Sequence, residues 1–312
     1  QTDFKILDNI GNWLKPKIST QFSTAFHSAV GVQLKRVQFR LQYKRLSPNY
    51  RSLGTYYIPG DMQQVTASPS FLLFKNKLRI AFSVGIQTDN VTRIKYNTTK
   101  RNIGAINISL TPNQNVITDI AINNFGTTQT PGLYPVVDSL KQYQVTSSIN
   151  ISQRFGKTTK TFSRNLMINI AYQSFSDYNT LSRIYLQNTV YTGSFNYNYS
   201  LLAKKMSIGA GFMGNKIIGE GFSAIQVGPT INLNKTFLKN KLNSSGGISL
   251  LHNTTNGSKQ GFNFSLNSNL SYKIHKLQRI SAGVFIIRTN RFAGSIEKFT
   301  ELRFNLGYQF TF

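Results

Sequence analysis

"EKFTELRFNLGYQFTF", residues 297–312, alternates Leu302, Phe304, Leu306, Tyr308, Phe310 and Phe312 with Arg303, Asn305, Gly307, Gln309 and Thr311. A period of two puts six apolar side chains on one face of a strand and the polar ones on the other. In a soluble protein that apolar face needs a second layer of sheet or helix. The alternative is that the second layer is lipid.

The same pattern recurs upstream. "QYQVTSSINISQRF" (142–155) sets Tyr143, Val145, Ile149 and Ile151 against Gln144, Thr146, Ser148, Asn150 and Arg154. "GFNFSLNSNLSYKIH" (261–275), "YTGSFNYNYSLL" (191–202) and "KLRIAFSVGIQ" (77–87) behave alike. Their polar faces carry Asn, Ser, Thr, Gln and Gly with an occasional cation, whereas the exterior of a soluble sandwich carries more Glu and Lys. An uncharged polar face behind an aromatic and aliphatic one suits a wet lumen inside a lipid-facing wall.

The connections carry a second signal. Tight basic turns occur in "VQLKRVQF" (32–39), "FLLFKNKLRI" (71–80), "LLAKKMSI" (201–208) and "TFLKNKLNSS" (236–245). Longer members are "FGKTTKTF" (155–162) and "YKIHKLQR" (272–279), and "LTPNQNV" (110–116) is a neutral one. Between them lie irregular stretches rich in Pro, Asp and Asn-Gly, roughly 47–62, 89–99, 124–141, 176–188, 215–221, 252–260 and 289–298. Short and long connections alternate without a parity error. That predicts an all-β, transmembrane antiparallel up-and-down β-barrel of about 14–16 strands over residues 19–312, with short periplasmic turns and long extracellular loops.

About fifteen strands are read directly: roughly 20–34, 37–46, 63–73, 78–88, 100–110, 115–123, 142–154, 164–175, 189–202, 206–214, 222–234, 242–251, 261–273, 279–288 and 299–312. A bacterial single-chain barrel has an even number. A sixteenth strand is expected in the N-terminal segment, residues 1–18, at "TDFKILD", or upstream of Gln1. The same segment also reads as a short amphipathic helix before Pro16, which would cap or plug the barrel. Gln1 fits either a mature terminus after signal removal or the start of a fragment.

Composition narrows the function classes. Lys and Arg number 36 against 10 Asp and Glu, a formal charge of +26, yet only 15% of residues are charged and 12% are aromatic. The chain is therefore no basic disordered tail. There is no cysteine, hence no disulfide framework and no thiolate metal site. No run approaches the roughly 18 apolar residues of a spanning helix.

The terminal aromatic alternation, with Tyr308, Phe310 and Phe312, resembles the C-terminal signal of Gram-negative outer-membrane β-barrels. The resemblance implies a cell outer membrane location and contact with the barrel-assembly machinery during biogenesis. "YKRLSPNYRSLGTYYIPGD" (43–61) and "KNKLRIAFSVGIQTDN" (75–90) resemble segments of outer-membrane barrels of the Bacteroidota type, a family of unassigned function. What is implied is a fold and a place, not an activity.

Catalytic chemistry is not expected. His27, His252 and His275 fall in different strands and turns. Asp61, Asp89, Asp138, Asp177, Glu220 and Glu297 lie in loops, and Asp119 and Glu301 in or beside strands, without pairing for acid–base work. Neither metal spacing nor a cofactor motif is present. The cations form two sets. Lys35, Arg36, Lys75, Lys77, Lys204, Lys205, Lys239, Lys241 and Lys276 make a basic periplasmic rim, with Lys157, Lys160 and Lys273 in the same turns; such a rim attracts anionic headgroups or a protein partner. Arg40, Lys44, Arg79, Arg154 and Arg303 point into the lumen by alternation, which favours anions unless loop acids fold inward to pair them.

Three functions follow as expectations. The first is a membrane-embedded component or anchor of an envelope complex in export, assembly or surface attachment, surrounded by outer-membrane lipid and bound to a protein partner. The second is an anion-preferring, porin-like diffusion channel. The third, a soluble basic β-protein binding nucleic acid, is disfavoured, because the basic turns flank aliphatic strand ends rather than an exposed aromatic sheet face.

Overall fold

A computed structural model describes residues 23–48, 50, 60–131, 141–179, 181–275, 277–291 and 298–310. They form one sheet of fifteen antiparallel strands in which each strand pairs with its neighbours in sequence. The strands are β1 (Ala25–Gln33), β2 (Val37–Leu46), β3 (Met62–Leu73), β4 (Leu78–Asp89) and β5 (Asn97–Asn113). There follow β6 (Val116–Pro131), β7 (Gln142–Thr158), β8 (Phe162–Asp177), β9 (Asn188–Leu201) and β10 (Met206–Gly219). The last are β11 (Phe222–Phe237), β12 (Leu242–Thr255), β13 (Ser258–His275), β14 (Gln278–Arg291) and β15 (Phe299–Phe310). A single helical turn, α1 (Arg183–Leu186), interrupts the β8–β9 connection. The fifteen strands coincide with those expected, mostly within a few residues. The N-terminal segment 1–18, as helix, plug or first strand, lies outside the described residues.

Register fixes the faces, because residues directly opposite in an antiparallel pair share a side. One face is a continuous apolar ladder: Leu78–Leu110, Ile80–Ile108 and Phe82–Ile106 between β4 and β5, then Ile108–Ile120 and Ile106–Ile122. It continues through Ile120–Ile151, Ile122–Ile149, Ile151–Ile170 and Ile149–Tyr172. Such cross-strand pairs are the stabilising unit of a sheet. Yet no second layer covers them. Among the described residues only Leu46 and Met62 are buried hydrophobics, while Ile170 is 57% and Phe304 69% exposed. A sandwich would have buried this ladder between its sheets. The opposite, polar face lines a hollow whose walls come from β9, β11, β12, β13, β14 and β15 together, and in a barrel with its apolar side to lipid this is the concave side.

The strands exceed what an apolar belt requires. The 17 residues of β5 span roughly 55 Å at about 3.3 Å per residue, against a belt roughly 25 Å tall. On β6 the outward positions change from Val116, Ile120 and Ile122 to Asn124, Thr128 and Thr130 toward the loop end. The apolar band therefore hugs the tight-turn half, and the strands continue past it.

Two of the expected long connections are corrected. The stretches 215–221 and 252–260 are not loops: β10 runs on to Gly219 and β12 to Thr255, leaving two-residue turns at Glu220–Gly221 and Asn256–Gly257. Asn256 at φ 49° and Gly257 at φ 78° both adopt the left-handed conformation that a two-residue hairpin turn demands. At the opposite end, Phe74–Lys75–Asn76 and Leu238–Lys239–Asn240 all have φ between 49° and 76°. The shared K-N-K-L wording thus encodes one turn used twice, closed by Lys77 N–H donating to the Phe74 carbonyl (3.2 Å) and Lys241 N–H to the Leu238 carbonyl (3.0 Å).

A candidate lumen with a cationic wall and an amide wall

Alternation within each strand decides which side chains face the concave side. Arg40 on β2 stands opposite Gly31 and Ser68, Lys44 opposite His27 and Gln64, and Arg79 on β4 opposite Leu72 and Ser109. Arg154 on β7 faces Ile117 and Met167, and Arg303 on β15 faces Phe285. By register all five share the polar face of the sheet. Three further cations share it: Arg101 on β5 (opposite Gln87 and Thr127) and the cross-strand pair Lys273–Arg279 at the turn end. Arg101 was missed because its neighbour in phase, Ile103, also faces inward and spoils the alternation. Lys273 belongs to β13, not to the turn it was grouped with.

Their partners are sparse. Among the described residues Arg303 pairs with Glu301, its neighbour two positions back on β15, and Arg45 pairs with the buried Asp61 at 3.6 Å. Arg40, Lys44, Arg79, Arg101 and Arg154 form no ion pair there. Arg154 donates Nε–H to Asn165 Oδ1 (3.0 Å), and Arg40 lies 2.9 Å from the Gln42 amide when that amide is turned to accept. The nearest inward acid to Arg79 is Asp119, one strand beyond Ser109 in the same row. Among the described residues, three of the acids expected in loops are engaged locally. Asp61 is held by Arg45 and by the Thr92 backbone N–H and hydroxyl; Asp89 accepts from the Thr99 N–H, and Asp177 from the Asn179 N–H and the Ser182 hydroxyl. Each is spent on loop geometry.

The second wall differs in kind. From β9 to β12 the inward positions carry no charged side chain. One row runs Asn198–Gly209–Asn232–Gly247–Asn267, alternating amide and glycine across five strands. A Cβ added at Gly247 would meet Asn267 Oδ1 at 2.6 Å and Asn232 Oδ1 at 2.9 Å, so the amides lie flat across the glycines. With Asn269, Asn305 and Phe285 they line a hollow of about 500 Å³.

Lys35, Arg36, Lys75, Lys77, Lys204, Lys205, Lys239 and Lys241 are exposed in turns at one end of the sheet. Lys205 Nζ donates to Asn240 Oδ1 (2.5 Å), joining two adjacent turns. Lys276 and Phe312 lie outside the described residues; Tyr308 and Phe310 face the apolar side of β15. His27, His252 and His275 sit on β1, β12 and β13 and are not brought together. Among the described residues no cluster of three His, Asp or Glu could hold a metal ion.

No family model matches the chain, and no curated protein does. Solved structures do. The FrpB iron transporter of Neisseria meningitidis (F3-3 variant) aligns over 93% of this chain and 58% of its own, at 10% identity and a TM-score of 0.62. The alcaligin outer-membrane receptor FauA of Bordetella pertussis gives 94%, 49%, 10% and 0.58. The siderophore receptor PirA of Acinetobacter baumannii gives 93%, 55%, 9% and 0.55. The chain thus spans about half the length of these proteins. What it shares with them is the fold of a Gram-negative outer-membrane β-barrel.

Proposed function

We propose that the chain forms an outer-membrane barrel whose lumen is a passage for anionic solutes. The observation that carries this reading is the set of inward cations on β2, β4, β5 and β7, Arg40, Lys44, Arg79, Arg101 and Arg154, without ion-pair partners among the described residues. Unneutralised charge lining a narrow aqueous path focuses the local potential and concentrates the opposite ion. The transport and receptor roles named for the structures of like fold agree with a solute route, although at 10% identity they lend support only through the fold. The test is single-channel recording in planar bilayers. The expected result is conductance with a reversal potential favouring chloride over potassium. A barrel that conducts with cation preference, or never conducts, removes the proposal.

The second reading, a component or anchor of an envelope complex, rests on the basic rim. Eight exposed cations in turns at one end, with Lys205 reaching the next turn, give a surface for anionic headgroups at about 1 kcal/mol per cation, or for an acidic partner. Purification in mild detergent should then recover a stoichiometric partner that is released by salt.

A further inference from the structure

The hollow in the amide wall repeats one arrangement in two rows: each asparagine stands beside a glycine of the neighbouring strand. Asn198 and Asn232 flank Gly209, Asn232 and Asn267 flank Gly247, and in the next row Asn269 and Asn305 flank Gly283. A glycine has no side chain to bond, so an amide placed beside it keeps its donors and its acceptor. Among the described residues none of these five amides is engaged in a hydrogen bond. Other inward polar groups are spent on one another. Asn123 Nδ2–H donates to Ser148 Oγ (3.3 Å), Asn169 Nδ2–H donates to Ser194 Oγ (3.3 Å), and the Ser249 and Ser265 hydroxyls meet at 2.6 Å. Glycine inside a strand weakens it, and it recurs where a ligand approaches the backbone closely.

Phe285 stands half-buried in the row of Asn267 and lines the same hollow. Among the described residues no charged side chain lines it, and Arg303, opposite Phe285, is paired with Glu301. Its volume of about 500 Å³ is that of a small-molecule site, where a few polar groups fix orientation against an apolar surface. We infer that this hollow binds an uncharged saccharide. A sugar hydroxyl both donates and accepts, so it meets an amide at its N–H or at its oxygen. The C–H face of a sugar ring packs on the electron-rich face of Phe285. An ionic solute finds no counter-charge here, and an apolar one leaves the amides that it covers unpaired. The site is separate from the cations of β2–β7 and does not depend on the anion preference proposed above.

The full-length protein, purified in mild detergent, is applied to an array of neutral oligosaccharides of α- and β-linked hexoses and pentoses. Acidic oligosaccharides and uncharged peptides of similar length are the competing classes. The best-bound neutral sugar is then titrated by calorimetry. Asn232→Ala/Asn267→Ala removes both amides that flank Gly247 and should weaken its binding by about tenfold or more. Phe285→Leu keeps an apolar side chain without a ring and should weaken it several-fold. Asn123→Ala removes an amide already bonded to Ser148 and should leave it unchanged. Heat-modifiable gel mobility checks that each variant is folded. If no neutral sugar binds, or if it binds the folded Asn232→Ala/Asn267→Ala and Phe285→Leu variants as well as the parent, the inference is overturned. Binding confined to acidic sugars or to peptides overturns it as well. A barrel that binds the neutral sugar but lacks chloride preference would instead refute only the passage for anions, so the two failures are distinguishable.

Discussion

The concave side of the sheet has two walls built on the same backbone but with different chemistry. From β2 to β7 it presents Arg40, Lys44, Arg79, Arg101 and Arg154; from β9 to β12 it presents mostly amides, hydroxyls and glycines, with some apolar side chains such as Val190 and Met213, and no charge. The outward faces of the two regions are alike, apolar and exposed. Selection for a lipid-facing exterior therefore explains the outside of both and the inside of neither. A lumen needing only to be wet would be satisfied by amides throughout. The gathering of cations without ion pairs on β2–β7, continued by Lys273 and Arg279 on β13 and β14 and absent from β9–β12, is the feature that the proposed passage for anions would account for.

The largest expected effect comes from reversing the cationic wall. In the triple variant Arg40→Glu/Arg79→Glu/Arg154→Glu, the chloride preference should invert to potassium. Each unit charge is worth about 1 kcal/mol at 4 Å even in water-like surroundings, so the permeability ratio should shift by roughly tenfold or more. The matching change on the other wall, Asn232→Ser/Asn267→Ser, should leave the sign intact. If both variants keep chloride preference, the two walls are functionally equivalent and the comparison fails.

Backbone approach ranks individual glycines rather than the two walls, since Gly228 on β11 also faces a main-chain carbonyl, that of Leu250. A Cβ at Gly85 on β4 would sit 2.7 Å from the Val65 carbonyl oxygen, a main-chain atom that cannot swing aside, whereas at Gly247 it meets only Asn side chains. Gly85→Ala should cost about 1–3 kcal/mol and Gly247→Ala clearly less. Heat-modifiable gel mobility of the folded barrel should rank them in that order. Gly193, with nothing within 4 Å, is the neutral control.

A smaller effect belongs to the one paired lumen cation. Glu301→Gln leaves Arg303 without its carboxylate, and chloride selectivity should rise modestly. No change would mean that Arg303 lies off the conduction path.

Much of this was legible in the sequence, and what was not has physical causes. Alternation found all fifteen strands because an apolar ladder beside an uncharged one leaves no ambiguity of period. It failed at the loop end. β5 and β6 were expected to stop near 100 and 123, yet begin at Asn97 and continue to Pro131, because beyond the belt Asn102, Asn124 and Thr128 face outward and the contrast between faces vanishes. The hairpins at Glu220–Gly221 and Asn256–Gly257 were hidden in the same way, by polar residues around a two-residue turn. Lumen cations were found where the phase was clean, as at Arg79, and lost where apolar Ile103 faced inward beside Arg101.

The smallest effect uses a turn that both walls share. Phe74–Lys75–Asn76, beside the cationic wall, and Leu238–Lys239–Asn240, beside the amide wall, hold three successive non-glycine residues at positive φ, a conformation disfavoured for L-residues by roughly 1–2 kcal/mol each. Glycine relieves that penalty but adds freedom to the unfolded chain. Lys75→Gly and Lys239→Gly should each stabilise the barrel by at most about 1 kcal/mol, and by the same amount. Equal shifts in urea midpoint would show that the turns are interchangeable and that the walls differ only in their inward side chains. Unequal shifts would mean that the charge above the first turn reaches into its stability, and the division into an inert scaffold and a functional lining would have to be redrawn.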